Sequence, residues 1–151
     1  SKAHGLAGIR LGYAMSSTAL AERLRAAGNP YPVSAITVAI GLASLDASLG
    51  VATTIIRRER GALSRALVKF GAVPIRSEAN FVTARFDNAA GVQESLRCDG
   101  IAVRAFPGTP GLEHCLRITL PGSPDLFSRL LRALRSACVS SDRISTEGPF
   151  Q

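Results

Sequence analysis

A lysine and an arginine bracket a glycine-rich loop at the start of this chain, Ser1-Lys2-Ala3-His4-Gly5-Leu6-Ala7-Gly8-Ile9-Arg10-Leu11-Gly12-Tyr13. Glycines let backbone approach a ligand closely. A lysine amine condenses with aldehydes to give a Schiff base. An arginine fork suits phosphate oxygens. An amine and a guanidinium together match a small molecule with an aldehyde at one end and a phosphate at the other, a description that pyridoxal 5′-phosphate (PLP) meets. The same residue types also make ordinary solvent-facing loops, and spacing alone does not separate the two.

Two further arginines interrupt strand-like segments. Ile101, Val103 and Ala105 alternate with Arg104, and Leu116, Ile118 and Leu120 alternate with Arg117 and Thr119. Period two puts each arginine on the face opposite its apolar neighbours, where it must meet water or an anion.

The elements that must carry these residues follow from periodicity. Leu11–Met15 reads as a short strand. Thr18–Ala27 reads as a helix stopped by Gly28-Asn29-Pro30, and a buried apolar helix begins at Ser34 and ends near Leu45. Val51–Phe70 is the clearest helix, with Ala52, Ile56, Leu63, Leu67 and Phe70 on one stripe and arginines opposite. Asn80–Phe86 alternates as a strand, Ala89–Arg97 is a short helix, and Ile101–Phe106 and Leu116–Leu120 are further strands. Ser123-Pro124-Asp125 starts a last helix, whose apolar stripe of Phe127, Leu130, Leu131 and Leu134 fades after Ala137. The expected fold class is α/β with an α+β small domain: a long linking helix, then a small three-to-four-stranded sheet with helices. The expected divisions are residues 1–50, 51–137 and a flexible tail over 138–151.

Composition narrows the classes. With 151 residues and 46% hydrophobic content the chain can bury a core, and a mean hydropathy of +0.20 excludes a disordered chain. The stretch Ala35–Leu49 is broken by Thr37, Ser44, Asp46 and Ser48, so no membrane span is expected. Cys98, Cys115 and Cys138 lack CxxC spacing, which argues against disulfides and a zinc site; no metal is expected. The formal net charge of +7 raises a nucleic-acid reading. However, Arg57, Arg58, Arg60 and Arg65 fall on one helical run, and Arg129, Arg132 and Arg135 on another. Both read as solvated faces, and with two tyrosines, six phenylalanines and no tryptophan, stacking platforms are few. No nucleic-acid or membrane partner is expected.

The first loop resembles the Schiff-base lysine motif of fold-type I PLP-dependent aminotransferases, and is most similar to that of the histidinol-phosphate aminotransferase family, S-K-x-F-G-L-A-G-x-R-x-G-Y. Ser1, Lys2, Gly5, Leu6, Ala7, Gly8, Arg10, Gly12 and Tyr13 match, while His4 replaces the usual phenylalanine. Asn29-Pro30-Tyr31-Pro32-Val33-Ser34 resembles a P-Y-N-V-S turn, with Pro32 in place of asparagine. Ser77-Glu78-Ala79-Asn80-Phe81 resembles S-x-A-N-F, Gly100-Ile101-Ala102-Val103-Arg104 resembles G-I-x-V-R, and Leu116-Arg117-Ile118-Thr119 resembles L-R-I-T. The likeness covers about residues 1–135.

This resemblance implies roles. Lys2 would form the Schiff base with PLP and move the proton at the substrate Cα, with Ser1 beside it. Arg10 would clamp the cofactor phosphate. Arg117 would receive a carboxylate or the phosphate of histidinol phosphate, and Arg104 would assist with acidic groups. Asn80 is a substrate-side candidate that also reads as a backbone hydrogen-bonder. Tyr13 and Tyr31 read as packing residues and His4 as a solvent-facing loop residue. The implied reaction is amino transfer from histidinol phosphate to 2-oxoglutarate, giving glutamate, in a cytoplasmic homodimer. The family's carboxylate partner of the pyridinium nitrogen and its ring-stacking aromatic precede the lysine, so the chain is expected to be a C-terminal portion, inactive in isolation. Other readings are an aromatic-amino-acid aminotransferase, a threonine-phosphate decarboxylase-like enzyme, and a non-catalytic remnant or assembly module.

Overall fold

In a computed structural model, residues 4–45 and 50–146 are described, with side chains described through Val139. The chain divides into two compact units, Ser1–Thr53 and Thr54–Gln151.

In the first unit, a 3-10 turn over Ala7–Ile9 leads into irregular chain. The expected strand at Leu11–Met15 is absent: a strand needs a hydrogen-bonded neighbour, and none of the described residues of this unit supplies one. Helix α1 spans Thr18–Ala27 and helix α2 spans Ala35–Ala43. Ser34 caps α2, its hydroxyl oxygen accepting from the Thr37 amide at 3.1 Å. Gly41 is the one buried residue among those described here, and a Cβ there would collide with the Leu11 side chain. Within this unit α2 is not the buried helix its composition suggests; its segment instead shows the exposed apolar surface also expected around Ala35–Leu49, with Ile36 and Leu42 73% and 62% exposed and Leu45, past the helix end, 65% exposed.

Helix α3, Gly50–Lys69, crosses from the first unit into the second. The second unit then runs β1 (Val73–Pro74), β2 (Phe81–Arg85), α4 (Ala89–Cys98), β3 (Arg104–Ala105), β4 (Cys115–Thr119) and α5 (Pro124–Thr146). The sheet order is β1-β2-β4-β3, every pair antiparallel. Val82, Ala84, Leu116 and Ile118 point to one face. They pack with Leu63 and Leu67 of α3, Val92 and Leu96 of α4, and Leu130, Leu134 and Ala137 of α5 in one core. The α+β expectation is what forms.

Three local differences have physical reasons. Strand β1 is not expected from the sequence, since Pro74 reads as a breaker, yet proline is tolerated on an edge strand, where β1 lies. Strand β3 is shorter than Ile101–Phe106. Gly100 adopts φ +71°, and the Ile101 amide donates to the Leu96 carbonyl at 2.8 Å to cap α4, so it is unavailable to the sheet. Helix α5 continues to Thr146, past the expected start of a tail at residue 138, and Cys138 packs in the core.

Candidate functional site

Arg117 and Arg104 stand directly opposite each other across β4 and β3, and Thr83 of β2 completes the row. Alternation places all three on the sheet face away from the core. Like charges so placed repel. Aromatic rings draw the two heads apart. The Arg117 guanidinium carbon lies 5.1 Å from the Phe81 ring centroid, toward the Thr119 end of β4. That of Arg104 lies 5.9 Å from Phe106, toward the Cys115 end. Each stack adds roughly 0.5–2 kcal/mol of attraction.

The two arginines differ in what surrounds them. Arg104 is exposed and lines a cavity of about 500 Å³ with Gln93, Pro107 and Glu113. Arg117 is half-buried, and its Nε is buried without a hydrogen-bond partner. Among the described residues no carboxylate pairs with it. A buried donor left without an acceptor costs about 1–3 kcal/mol, which an incoming oxyanion would recover. The arrangement is a guanidinium braced from one side by a ring, with donors to spare.

Asn80 precedes β2. Its carbonyl accepts the Leu120 amide at 2.9 Å, so its backbone ties the start of β2 to the end of β4. Ser77 shapes the approach: its hydroxyl donates to the Phe81 carbonyl at 2.7 Å and accepts the Ala79 amide at 3.1 Å.

In the first unit, Ser1 and Lys2 lie outside the described residues. Arg10 ends the 3-10 turn at φ +56°, a left-handed conformation that side chains other than glycine rarely adopt. Its Nη1 donates to the Ala7 carbonyl at 3.1 Å, and the guanidinium is otherwise exposed. Gly5, Gly8 and Gly12 have open space where a side chain would sit. The exposed Arg10 guanidinium, beside glycines with no side chain in the way, leaves room for an anionic group such as the phosphate of PLP. His4 is half-buried with Nδ1 unpartnered, not solvent-facing as expected. Tyr13 and Tyr31, expected to pack, are 87% and 91% exposed.

The arginine run of α3 also differs from a uniformly solvated face. Arg57 and Arg58 are exposed, whereas Arg60 reaches the turn before β2, donating to the Ala79 carbonyl at 2.9 Å and to Glu78 Oε2 at 2.7 Å. Glu59 belongs to none of the motifs above. It is 5% exposed, on the stripe between Ile56 and Leu63, and its Oε2 accepts the Gly122 amide at 2.9 Å. An acid at an apolar-stripe position was the available signal. Phe81 was legible only as a strand residue. Among the described residues no group of His, Cys, Asp or Glu could hold a metal ion, and no helix is long and apolar enough to cross a membrane.

The helices and small antiparallel sheet of this chain superpose on solved aminotransferases. The pattern of the family described as aminotransferase class I and II matches residues 1–134, and the chain belongs to that family. Histidinol-phosphate aminotransferase from Chromobacterium violaceum is 42% identical over 138 residues, covering 87% of this chain and 38% of that protein. Histidinol-phosphate aminotransferase 1 from Dechloromonas aromatica is 38% identical over 139 residues, covering 91% and 38%. The crystal structure of histidinol-phosphate aminotransferase from Sinorhizobium meliloti in complex with pyridoxal-5′-phosphate superposes with a TM-score of 0.73 at 31% identity, covering 92% of this chain and 39% of that one. The chain thus spans about 38% of the length of the curated relatives cited.

Proposed function

We propose that the chain is part of a PLP-dependent transaminase that moves the amino group of histidinol phosphate to 2-oxoglutarate, a step of histidine biosynthesis. The observation that carries this is Arg117, held over Phe81 with a buried, unpartnered Nε. Such a group binds a carboxylate or phosphate rather than a neutral substrate. The relatives' names support histidinol phosphate as the substrate.

PLP, when bound, supplies an electron sink for negative charge at the substrate Cα. In this reading Arg10 holds the cofactor phosphate, with Ser1 as a second donor. The amine of Lys2 takes and returns the proton at the substrate Cα. Arg117 orients the substrate by its anionic end, and Arg104 leaves Phe106 to assist when a second negative charge arrives. Asn80 contributes by keeping Phe81 in register. Residues 1–50 close the large, cofactor-binding domain and 51–137 form the small domain. A homodimeric, cytoplasmic enzyme belongs to the same proposal, supported by the family resemblance.

The test is a chimera in which this chain replaces the matching 38% of the Chromobacterium violaceum protein. Amino transfer from histidinol phosphate to 2-oxoglutarate is the expected result. A chimera that transaminates phenylalanine but not histidinol phosphate would assign the aromatic alternative instead, and a folded, inert chimera would favour a non-catalytic remnant.

A further inference from the structure

Two consecutive residues of α3 fasten one end of the sheet. Phe81 and Thr119 are paired there, the first residue of β2 against the last of β4. Arg60 binds the Ala79 carbonyl at 2.9 Å, two residues before Phe81. Glu59 accepts the Gly122 amide at 2.9 Å, three residues after Thr119. Between the two turns the Leu120 amide donates to the Asn80 carbonyl at 2.9 Å. Helix, first turn, second turn and helix again form a closed frame around the residue on which Arg117 is stacked.

Stability does not explain Glu59. It occupies the apolar stripe that continues as Leu63 and Leu67, it is 5% exposed, and its Oε1 is buried with no partner. A half-satisfied buried carboxylate is costly, and an apolar residue would pack there at lower cost. What the carboxylate supplies is a directed acceptor. Gly122 sits at φ +67°, the left-handed region open to glycine, and this turn aims its amide at the helix. Arg60 is similarly committed: its side chain is 14% exposed, while its partner Glu78 is 75% exposed.

We propose that Glu59 and Arg60 are positioning residues that set Phe81 and Arg117 as a receptor for the substrate's anion. The inference rests on the anion-binding role of Arg117 and adds the groups that hold that receptor in shape. Neither residue touches the anion. They act by fixing the turns on either side of the Phe81–Thr119 pair, so that the ring stays under the guanidinium and its free donors keep one direction.

The test titrates the whole isotope-labelled chain with inorganic phosphate, following the Nε–H resonance of Arg117, with folding checked by circular dichroism and thermal melting. In the parent chain phosphate should shift that resonance and the backbone amides of the neighbouring Phe81 and Thr119, and Arg117→Ala should abolish the phosphate-dependent shift of those amides. Folded Glu59→Ala should bind about tenfold more weakly, the loss expected for one hydrogen bond to a charged group. Glu59→Gln keeps an acceptor oxygen and should stay within about twofold of the parent. Arg60→Met should weaken binding by about threefold, and carries the test if Glu59→Ala does not fold. A purely structural role would lower the melting temperature and leave the phosphate affinity of the folded protein unchanged. That outcome in the folded variants overturns this inference alone. A parent chain whose Arg117 resonance ignores phosphate overturns the receptor reading, and this inference with it.

Discussion

Arg104 and Arg117 face each other in register across two antiparallel strands, yet Phe106 and Phe81 hold their charged heads toward opposite ends of the sheet. On the proposed reading, the pair would have two settings. Splayed, each cation is shared with a ring. Converged, both serve one dianion, which must offset the lost stacking and the mutual repulsion.

Arg117→Ala in the chimera should raise the KM for histidinol phosphate by about 10–100-fold, the equivalent of roughly 1.5–3 kcal/mol for a hydrogen bond to a charged group. Arg117→Lys should fall between the two, since it keeps the charge and loses the planar fork. Steady-state kinetics reads both, and an unchanged KM removes the role assigned to Arg117.

The proposed phosphate-binding residue Arg10 sits in an unfavourable backbone conformation. Arg10→Gly and Arg10→Ala should weaken PLP binding equally, because both delete the guanidinium. They should differ in stability. At φ +56° the glycine variant should be more stable by about 1 kcal/mol, since alanine keeps the Cβ that crowds a left-handed residue. Urea denaturation of the two chains checks the difference.

Glu94 is held below the usual carboxylate range, first by its hydrogen bonds from Arg97 at 2.7 and 2.6 Å and further by the charge of Arg97. A carboxyl whose pKa falls on folding stabilises the folded chain above its unfolded value and loses that contribution as pH falls through the folded one. Carbon-detected titration should show the Glu94 midpoint rising toward the ordinary value in Arg97→Ala. Both groups are fully exposed, so the effect on melting temperature should be small.

Helix α2 presents Ile36 and Leu42 to solvent within its unit, and Leu45 follows just past its end. Contiguous apolar surface of this kind attracts other apolar groups. The chain alone should brighten a hydrophobic dye, and Ile36→Ser with Leu42→Ser should reduce that signal. A parent chain that leaves the dye dark would show that this face is covered.

Features that depend only on periodicity and residue type are readable along the chain. The α3 stripe from Ile56 to Phe70, the alternation of β2 and β4 and the Ser-Pro start of α5 are local signals that formed where they were read, whereas Ala52 at the head of the stripe is exposed. The two arginines were legible as polar residues on apolar strands. Registry, by contrast, belongs to the tertiary structure. That Arg104 opposes Arg117, that Phe81 lies under Arg117, and that Glu59 reaches Gly122 across 63 positions are long-range facts. No local pattern encodes them, because a strand fixes which face a side chain takes but not which neighbour it meets. The same reason accounts for the missing strand at Leu11–Met15: backbone hydrogen bonds between strands exist only in pairs, and one segment cannot state whether its partner is present.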